Sequence, residues 1–134
     1  MSDAGERIEI VSDQDVVRVR QLVRTVAVSV KLSLVDQTKL VTAASELARN
    51  TLVYGGGGYA EIFSVDNGRR RGIRIVFADQ GPGIADLYLA LTDGYTTGGG
   101  LGLGLSGARR LVDEFDIDTA VEQGTTITVT KWCR

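Results

Sequence analysis

The stretch YAEIFSVDNGRRRGIRIVFAD, residues 59–79, decides the fold class. Its two ends, Tyr59 to Asp66 and Gly72 to Asp79, alternate polar and apolar residues with the period of a β-strand. Between them, Asn67-Gly68 is a dipeptide typical of a tight hairpin turn. We therefore predict an antiparallel pair of strands in the middle of the chain.

Two helices are predicted before this hairpin and one after it. The first runs from about Asp13 to Leu32, with valines and one alanine forming a single apolar stripe. The second runs from a cap at Asp36 to about Val53 and ends at the glycine run Gly55 to Gly58. A third apolar stripe, from Leu105 to Phe115, predicts the last helix.

Three further strands complete the predicted fold, at Arg7 to Val11, Ile117 to Val121 and Thr125 to Trp132. Helices grouped early, strands in hairpins and one late helix are typical of an α+β two-layer sandwich. In this fold the helices lie on one face of a mostly antiparallel mixed sheet. No repeat or linker divides the chain, so we expect one domain over residues 1–134.

The composition excludes several classes of function. The chain has no histidine, which removes Ser-His-Asp and Cys-His nucleophile systems and histidine-ligated zinc. A net charge of −2 and 6% aromatic residues give no surface for nucleic acid, and no apolar stretch reaches membrane-spanning length. The single cysteine, Cys133, fits a reducing compartment, so we expect a cytoplasmic protein without nucleic-acid or membrane partners.

A glycine-rich stretch, GGGLGLGL at residues 98–105, leads into the third helix. Successive glycine amides can form an anion-binding nest, and the N-terminus of the helix behind them adds a positive dipole. A flexible linker is the alternative, but linkers favour serine and polar residues over alternating leucines. The stretch therefore predicts a phosphate-binding loop.

A carboxylate and an amide lie one turn apart in the second helix, at Glu46 and Asn50. Such a pair can hold a hydrated Mg²⁺ through the amide oxygen and accept a proton through the carboxylate. Taken alone, the same spacing is more often a solvated helix face.

The segment Asp79-Gln80-Gly81-Pro82-Gly83 stands where an apolar strand stops. Its proline and glycines let the backbone bend tightly, so that a flat ligand can approach the Asp79 carboxylate. The carboxylate would then accept a hydrogen bond from an exocyclic amine. An ordinary strand-ending turn is the alternative.

Other patterns do not define a site. Gly102, Gly104 and Gly107 match G-x-G-x-x-G, but no apolar strand precedes them as a Rossmann site requires, and the chain contains no P-loop sequence. The basic cluster Arg69 to Arg71, with Arg74 nearby, is typical of a solvated hairpin tip; a docking point for an acidic partner is the alternative.

Taken in order, the E-x-x-x-N helix, the D-x-G-x-G turn, the glycine-rich loop and a late Gly124-Thr125 resemble the GHKL (Bergerat-fold) ATPases. Within that superfamily, the segments SELARN (45–50), DQGPGI (79–84) and GGGLGLGL (98–105) resemble the switch serine/threonine kinases of the bacterial stressosome. These motifs span more than half of the chain.

The resemblance implies a role for each matching residue. Asp79 would bind the adenine amine, Gly81 and Gly83 would shape that pocket, and Thr125 would support adenine through water. Asn50 would coordinate Mg²⁺, and Glu46 would be the catalytic base that takes the proton from a substrate hydroxyl. A short lid would close over the phosphates of ATP; it comprises Gly98, Gly99, Gly100, Leu101, Gly102, Leu103 and Gly104.

The predicted lid departs from what phosphoryl transfer needs, because it contains no lysine or arginine to neutralise charge on the γ-phosphate. Arg109 or Arg110, which follow the lid in the third helix, or a residue of a partner, would have to supply that charge.

The resemblance implies an ATP- and Mg²⁺-dependent kinase of STAS-domain scaffold or antagonist proteins. By partner switching, such a kinase then activates a PP2C-type phosphatase in stress signalling. One alternative is an anti-sigma factor of the same fold that sequesters a sigma subunit. Another is a non-catalytic adaptor that binds ATP only to set its shape.

Overall fold

The computed structural model describes residues 5–83 and 105–134. Its elements in chain order are β1 (Glu6–Ile10), α1 (Asp13–Ser29), α2 (Leu34–Val53), β2 (Gly58–Asp66), β3 (Arg71–Asp79), α3 (Leu105–Leu111), β4 (Glu114–Ala120) and β5 (Gly124–Trp132).

The strands form one sheet in the order β1-β2-β3-β5-β4. Every pairing among the described residues is antiparallel, so the sheet shows no parallel ladder there. The predicted hairpin is present, with the Asn67 side chain accepting from the backbone N–H groups of Arg69 and Arg70 at 2.9 and 2.8 Å. β3 lies at the centre of the sheet, so the residues at its end are flanked on both sides.

Helices α1 and α2 pack against each other and cover one face of the sheet. Their predicted stripes are buried, and alternate residues of the central strands complete the core between the two layers. The two-layer α+β architecture is thereby confirmed. The largest fully buried side chains are Phe77, Ile10, Leu40, Leu47, Ile73, Ile75 and Leu105.

Several predicted element ends differ from those observed, and the main differences concern the end of α1, the start of α2 and the boundary between α3 and β4. α1 ends at Ser29 rather than Leu32, because Lys31 adopts a left-handed backbone conformation with φ 66°. The cap of α2 is Ser33, not Asp36: the Ser33 hydroxyl accepts from the Asp36 backbone N–H at 3.1 Å. Phe115 lies in β4 rather than in a helix, since α3 stops at Leu111.

A charged cluster closes the end of the core at which β5 finishes. Lys131, 3% exposed, forms ion pairs with Asp36 at 3.6 Å and with Asp113 at 3.8 Å. Arg134 also pairs with Asp113, at 2.7 Å. Asp36 lies in the first turn of α2, so the cluster fixes the start of that helix to the last strand.

No helix within the described ranges is long and apolar enough to cross a membrane.

Candidate nucleotide site

The site lies where one cross-strand row of residues reaches the end of β3. Asp79 is directly opposite Gly58 in β2 and Thr125 in β5, and Thr125 is in turn opposite Thr119 in β4. Directly opposite residues of antiparallel strands point to the same face. Asp79 alternates with Phe77 and Ile75, which are buried, so this row faces the helical layer.

The Asp79 carboxylate is held by backbone donors. Its Oδ1 atom accepts from the Gly81 N–H at 2.8 Å, and the Thr125 N–H donates to the same carboxyl group. Burial raises the pKa of Asp79 above its ordinary value, and these two hydrogen bonds only partly offset the effect. A half-buried carboxylate of this kind gains from a further donor, such as an amino group.

The loop after α2 lies directly against this carboxylate. A Cβ atom added at Gly55 would overlap the Asp79 carboxyl group, and one added at Gly81 would overlap the Gly55 backbone. The N–H groups of Tyr54 and Gly55 both donate to the Asn50 carbonyl, at 3.0 and 3.1 Å. The chain thus turns at the end of α2 and brings the segment containing Asn50 to Asp79.

The turn after Asp79 is fixed on two sides. Gly83 has a φ of +74°, and a Cβ there would overlap the Ala120 carbonyl, so only glycine fits this position. The Tyr54 hydroxyl donates to the Gly83 carbonyl at 2.8 Å, and the Glu122 N–H donates to the Pro82 carbonyl at 2.7 Å. These contacts hold the predicted adenine-side turn in one shape.

Glu46 and Asn50 have different environments although they lie one turn apart. Asn50 is 8% exposed, whereas Glu46 is exposed beside a depression between α1 and α2 that Arg20, Val41 and Ser45 also line. An amide oxygen with a carboxylate one turn away is a donor set that suits Mg²⁺, which prefers oxygen ligands and keeps several waters. The described part of the chain holds no group of three acidic, histidine or cysteine side chains for a metal.

The structure brings together four of the sequence-predicted site residues, Asp79, Gly81, Gly83 and Thr125, and places the α2 segment of Asn50 beside them. The predicted lid residues, Gly98, Gly99, Gly100, Leu101, Gly102, Leu103 and Gly104, lie outside the described residues. α3 begins at Leu105, as predicted, and buries Leu105 and Ala108; this helix packs against α2.

Three residues of the site were missed by the sequence analysis: Tyr54, Gly55 and Thr119. Gly55 belongs to a glycine cluster, which is a signal of a sharp turn or of close backbone approach, but the sequence does not indicate that this residue contacts Asp79. A tyrosine directly before that run was a weak signal for a hydrogen bond to the facing turn. No local pattern predicts the register that pairs Thr119 with Thr125.

The sequence profile of the histidine kinase-, DNA gyrase B-, and HSP90-like ATPases matches residues 35–133. The chain belongs to this ATPase family. The matched range contains both helix residues, Glu46 and Asn50, as well as Asp79 and Thr125. The resemblance drawn from the ordered motifs is therefore confirmed at the level of the family and its fold.

Among curated members of the family, the serine/threonine-protein kinase RsbT of Bacillus subtilis (strain 168) is 43% identical over 127 residues. The alignment covers 95% of this chain and 96% of that protein. The resemblance to the switch serine/threonine kinases is confirmed by this relative, and with it the prediction of a protein serine/threonine kinase.

A solved structure of the RsbU and RsbW domains of Rv1364c from Mycobacterium tuberculosis is also similar, with a TM-score of 0.63 and 20% identity. The structural alignment covers 98% of this chain and 34% of the longer chain in that structure. At this level of identity, the likeness supports the ATPase fold alone.

Proposed function

We propose that this kinase uses Mg·ATP to phosphorylate a serine or threonine of STAS-domain scaffold or antagonist proteins in the cytoplasm. By partner switching, it then binds and activates a PP2C-type phosphatase. The observation that carries the proposal is the environment of Asp79. Its half-buried carboxylate accepts from two backbone N–H groups and lies against the segment that ends α2.

Asp79 supplies the adenine contact in this proposal. Its carboxylate is oriented by the Gly81 and Thr125 N–H groups, so its remaining lone pairs are left for a donor such as the adenine amino group. Gly55 and Gly81, which have no side chains, let the loop after α2 and the turn after β3 lie directly against each other and against this carboxylate. Gly83 and Thr125 complete the wall of the pocket.

Asn50 and Glu46 supply the phosphate end of the site. Asn50 would hold Mg²⁺ through its amide oxygen, and the metal would neutralise charge on the phosphates. Glu46 takes the proton from the attacking hydroxyl as the new P–O bond forms and ADP leaves. Because Glu46 is exposed, a hydroxyl carried by a separate protein can reach it.

The relative RsbT supports a protein rather than a small-molecule acceptor, since it is named as a serine/threonine-protein kinase. Phosphoryl transfer depends chiefly on positioning and charge neutralisation, which a domain of 134 residues can provide without a separate catalytic domain.

The test is intact-mass analysis of a STAS-domain protein encoded nearby, after incubation with the kinase and Mg·ATP. We expect the gain of one phosphoryl group with the wild-type chain and its loss with Glu46→Ala. The variant should bind ATP with unchanged affinity, because a catalytic base acts in turnover rather than in binding. Asp116→Ala, which removes an exposed carboxylate from β4, is the matched control and should retain activity.

Phosphorylation by Glu46→Ala at the wild-type rate would contradict the assignment of the base. ATP binding without any phosphoryl transfer to the STAS protein would favour the anti-sigma factor or the adaptor, which a pull-down with a sigma subunit would then separate.

A further inference from the structure

Two threonine hydroxyl groups face each other beside Asp79. The Oγ1 atoms of Thr119 in β4 and Thr125 in β5 are 2.8 Å apart, and the Thr119 hydroxyl also donates to the Gly124 carbonyl at 3.2 Å. Thr125 is 5% exposed. Thr119, Gly124 and Asp79 line one depression of about 140 Å³ at the end of the sheet.

The protons of these hydroxyl groups can be assigned by counting. Each hydroxyl carries one proton and two acceptor lone pairs. These two contacts are both hydrogen bonds only if Thr119 donates to the Gly124 carbonyl and Thr125 donates to Thr119. The lone pairs of the Thr125 hydroxyl are then directed away from Thr119, on the side of Asp79.

From this arrangement we infer that Thr119 is a positioning residue that sets the base preference of the nucleotide site. This inference rests on the proposed ATP-binding function. Thr119 holds Thr125 as a hydrogen-bond acceptor, so Thr125 and the Asp79 carboxylate together form an acceptor-only edge. That edge accepts a 6-aminopurine and disfavours a 6-oxopurine.

The chemistry of the two purines explains the preference. The amino group of adenine donates to such an edge, whereas the carbonyl of a 6-oxopurine meets oxygen acceptors and leaves them unpaired. A bridging water that donates to Thr125 also suits adenine, because its second proton is available for N1 of the ring; the discrimination itself comes from the direct contact with the 6-position. In a 6-oxopurine, N1 carries a proton.

The packing of β4 does not require a hydroxyl at this position. Phe115 and Ile117, the preceding residues on the same face of β4, are apolar and pack against the core. A valine at position 119 would continue that series with the same branching at Cβ. The hydroxyl of Thr119 therefore acts through its contacts with Thr125 and Gly124.

The test compares binding of Mg·ATP and Mg·ITP, which differ in having a 6-amino or a 6-oxo group, by titration calorimetry at neutral pH. For the wild-type chain we expect a preference for ATP. In Thr119→Val the Thr125 hydroxyl is free to rotate and donate, so the ratio of the two Kd values should fall by about tenfold, equivalent to about 1.4 kcal/mol.

Three variants make the result specific. Thr119→Ser keeps the hydroxyl and should restore the wild-type ratio. Thr128→Val, further along β5 and outside the residues that line this depression, is the matched control and should not change it. In a Thr125→Val background, Thr119→Val should alter the ratio no further, because the residue through which it acts is gone.

Equal weakening of ATP and ITP by Thr119→Val would overturn the inference, because a merely structural role affects both ligands alike. An unchanged ratio, or a ratio that Thr119→Ser does not restore, would also overturn it. If the folded wild-type chain bound neither nucleotide, the proposed function would itself fail. Should Thr119→Val not fold, as judged by circular dichroism, Thr119→Ala is measured against Thr119→Ser with the same expectation.

Discussion

The Tyr54 hydroxyl donates a hydrogen bond of 2.8 Å to the carbonyl of Gly83, 29 residues further along the chain. Tyr54 follows the last residue of α2, and Gly83 lies in the turn after β3. This single side chain therefore connects the segment that contains Asn50 to the turn that contains Asp79. The two halves of the proposed ATP site depend on each other through it.

Tyr54→Phe should lower both stability and nucleotide affinity. Loss of the hydroxyl leaves the Gly83 carbonyl without this donor, at a cost of about 1 kcal/mol in the free energy of unfolding. ATP should bind several-fold more weakly because the turn is less firmly held. Urea denaturation and calorimetry measure the two effects, with Tyr59→Phe as the control; the Tyr59 ring instead packs against Arg7. Equal effects of the two substitutions would contradict the prediction.

Gly55→Ala should abolish ATP binding, because the added methyl group would overlap the Asp79 carboxyl group. Gly107→Ala is its matched control: Gly107 lies in α3, with no atom within 4 Å of an added Cβ. Alanine there should stabilise the chain by about 0.5–1 kcal/mol through helix propensity. Normal ATP affinity in a folded Gly55→Ala chain would show that the carboxylate is not needed in its observed position.

Asp79 should make the ATP-free chain less stable as the pH rises. Its pKa is raised in the folded state, mainly by burial, so the unfolded chain releases this proton first. Relative to Asp79→Asn, the wild-type chain should lose stability as the pH increases from the ordinary value of about 3.9 through the raised pKa. Urea denaturation at a series of pH values measures the difference, with Asp116→Asn as the control. A constant difference between wild type and Asp79→Asn would refute it.

Asp79→Asn should also bind ATP far more weakly, although it is at least as stable at neutral pH. An amide can turn its NH₂ group toward the adenine amine, which places two donors face to face. A loss of ATP affinity without a loss of stability in Asp79→Asn would distinguish a binding role of Asp79 from a structural one. A variant that bound ATP and transferred phosphate normally would overturn the assignment of Asp79.

Lys131 should contribute strongly to stability, mainly through its buried ion pair with Asp36. Lys131→Ala leaves the buried Asp36 carboxylate without its cation, at a cost of about 3 kcal/mol, whereas Asp113 keeps its pairing with Arg134. The double variant Lys131→Met/Asp36→Asn removes both charges of this ion pair and should recover more than half of the lost stability. Thermal and urea unfolding test this, and a double variant no more stable than Lys131→Ala would argue against an electrostatic cause.

Arg109→Ala or Arg110→Ala should slow phosphoryl transfer without weakening ATP binding. Both side chains are exposed on α3, which follows the lid in sequence, and each carries a charge that the lid lacks. If a cation stabilises only the charge that develops on the transferred phosphoryl group, its removal lowers kcat and leaves the Kd for ATP unchanged. Unchanged turnover in both variants would assign this charge to a partner.

The parts of the fold that follow from local rules were predictable from the sequence. The Asn67-Gly68 turn and the alternation around it gave the β2–β3 hairpin, and the alanine-rich stripe gave the buried face of α2. Phe115 was misplaced because it stands four residues after Leu111, a helical spacing, and two before Ile117, a strand spacing. Ser33 and Asp36 are both good capping residues, so the sequence did not separate them.

The candidate site was predictable only in part. Asp79, Gly81 and Gly83 are close in sequence, and their residue types indicate a tight turn beside a carboxylate. The contact of Gly55 with Asp79 and the pairing of Thr119 with Thr125 depend instead on sheet order and register. These non-local relationships are set by the packing of the whole chain, which no local pattern determines.

The position of β5 between β3 and β4 determines the order in which the parts of the proposed site can form during synthesis. The β2–β3 hairpin is a local structure that can form as soon as its residues are available. Asp79, however, receives its Thr125 neighbour from β5, which follows the hairpin and β4 in the chain. A nascent chain that is still being translated through β4 has the hairpin but lacks one strand of the proposed adenine pocket. ATP bound at the proposed site would therefore stabilise only chains in which β5 has already paired with β3.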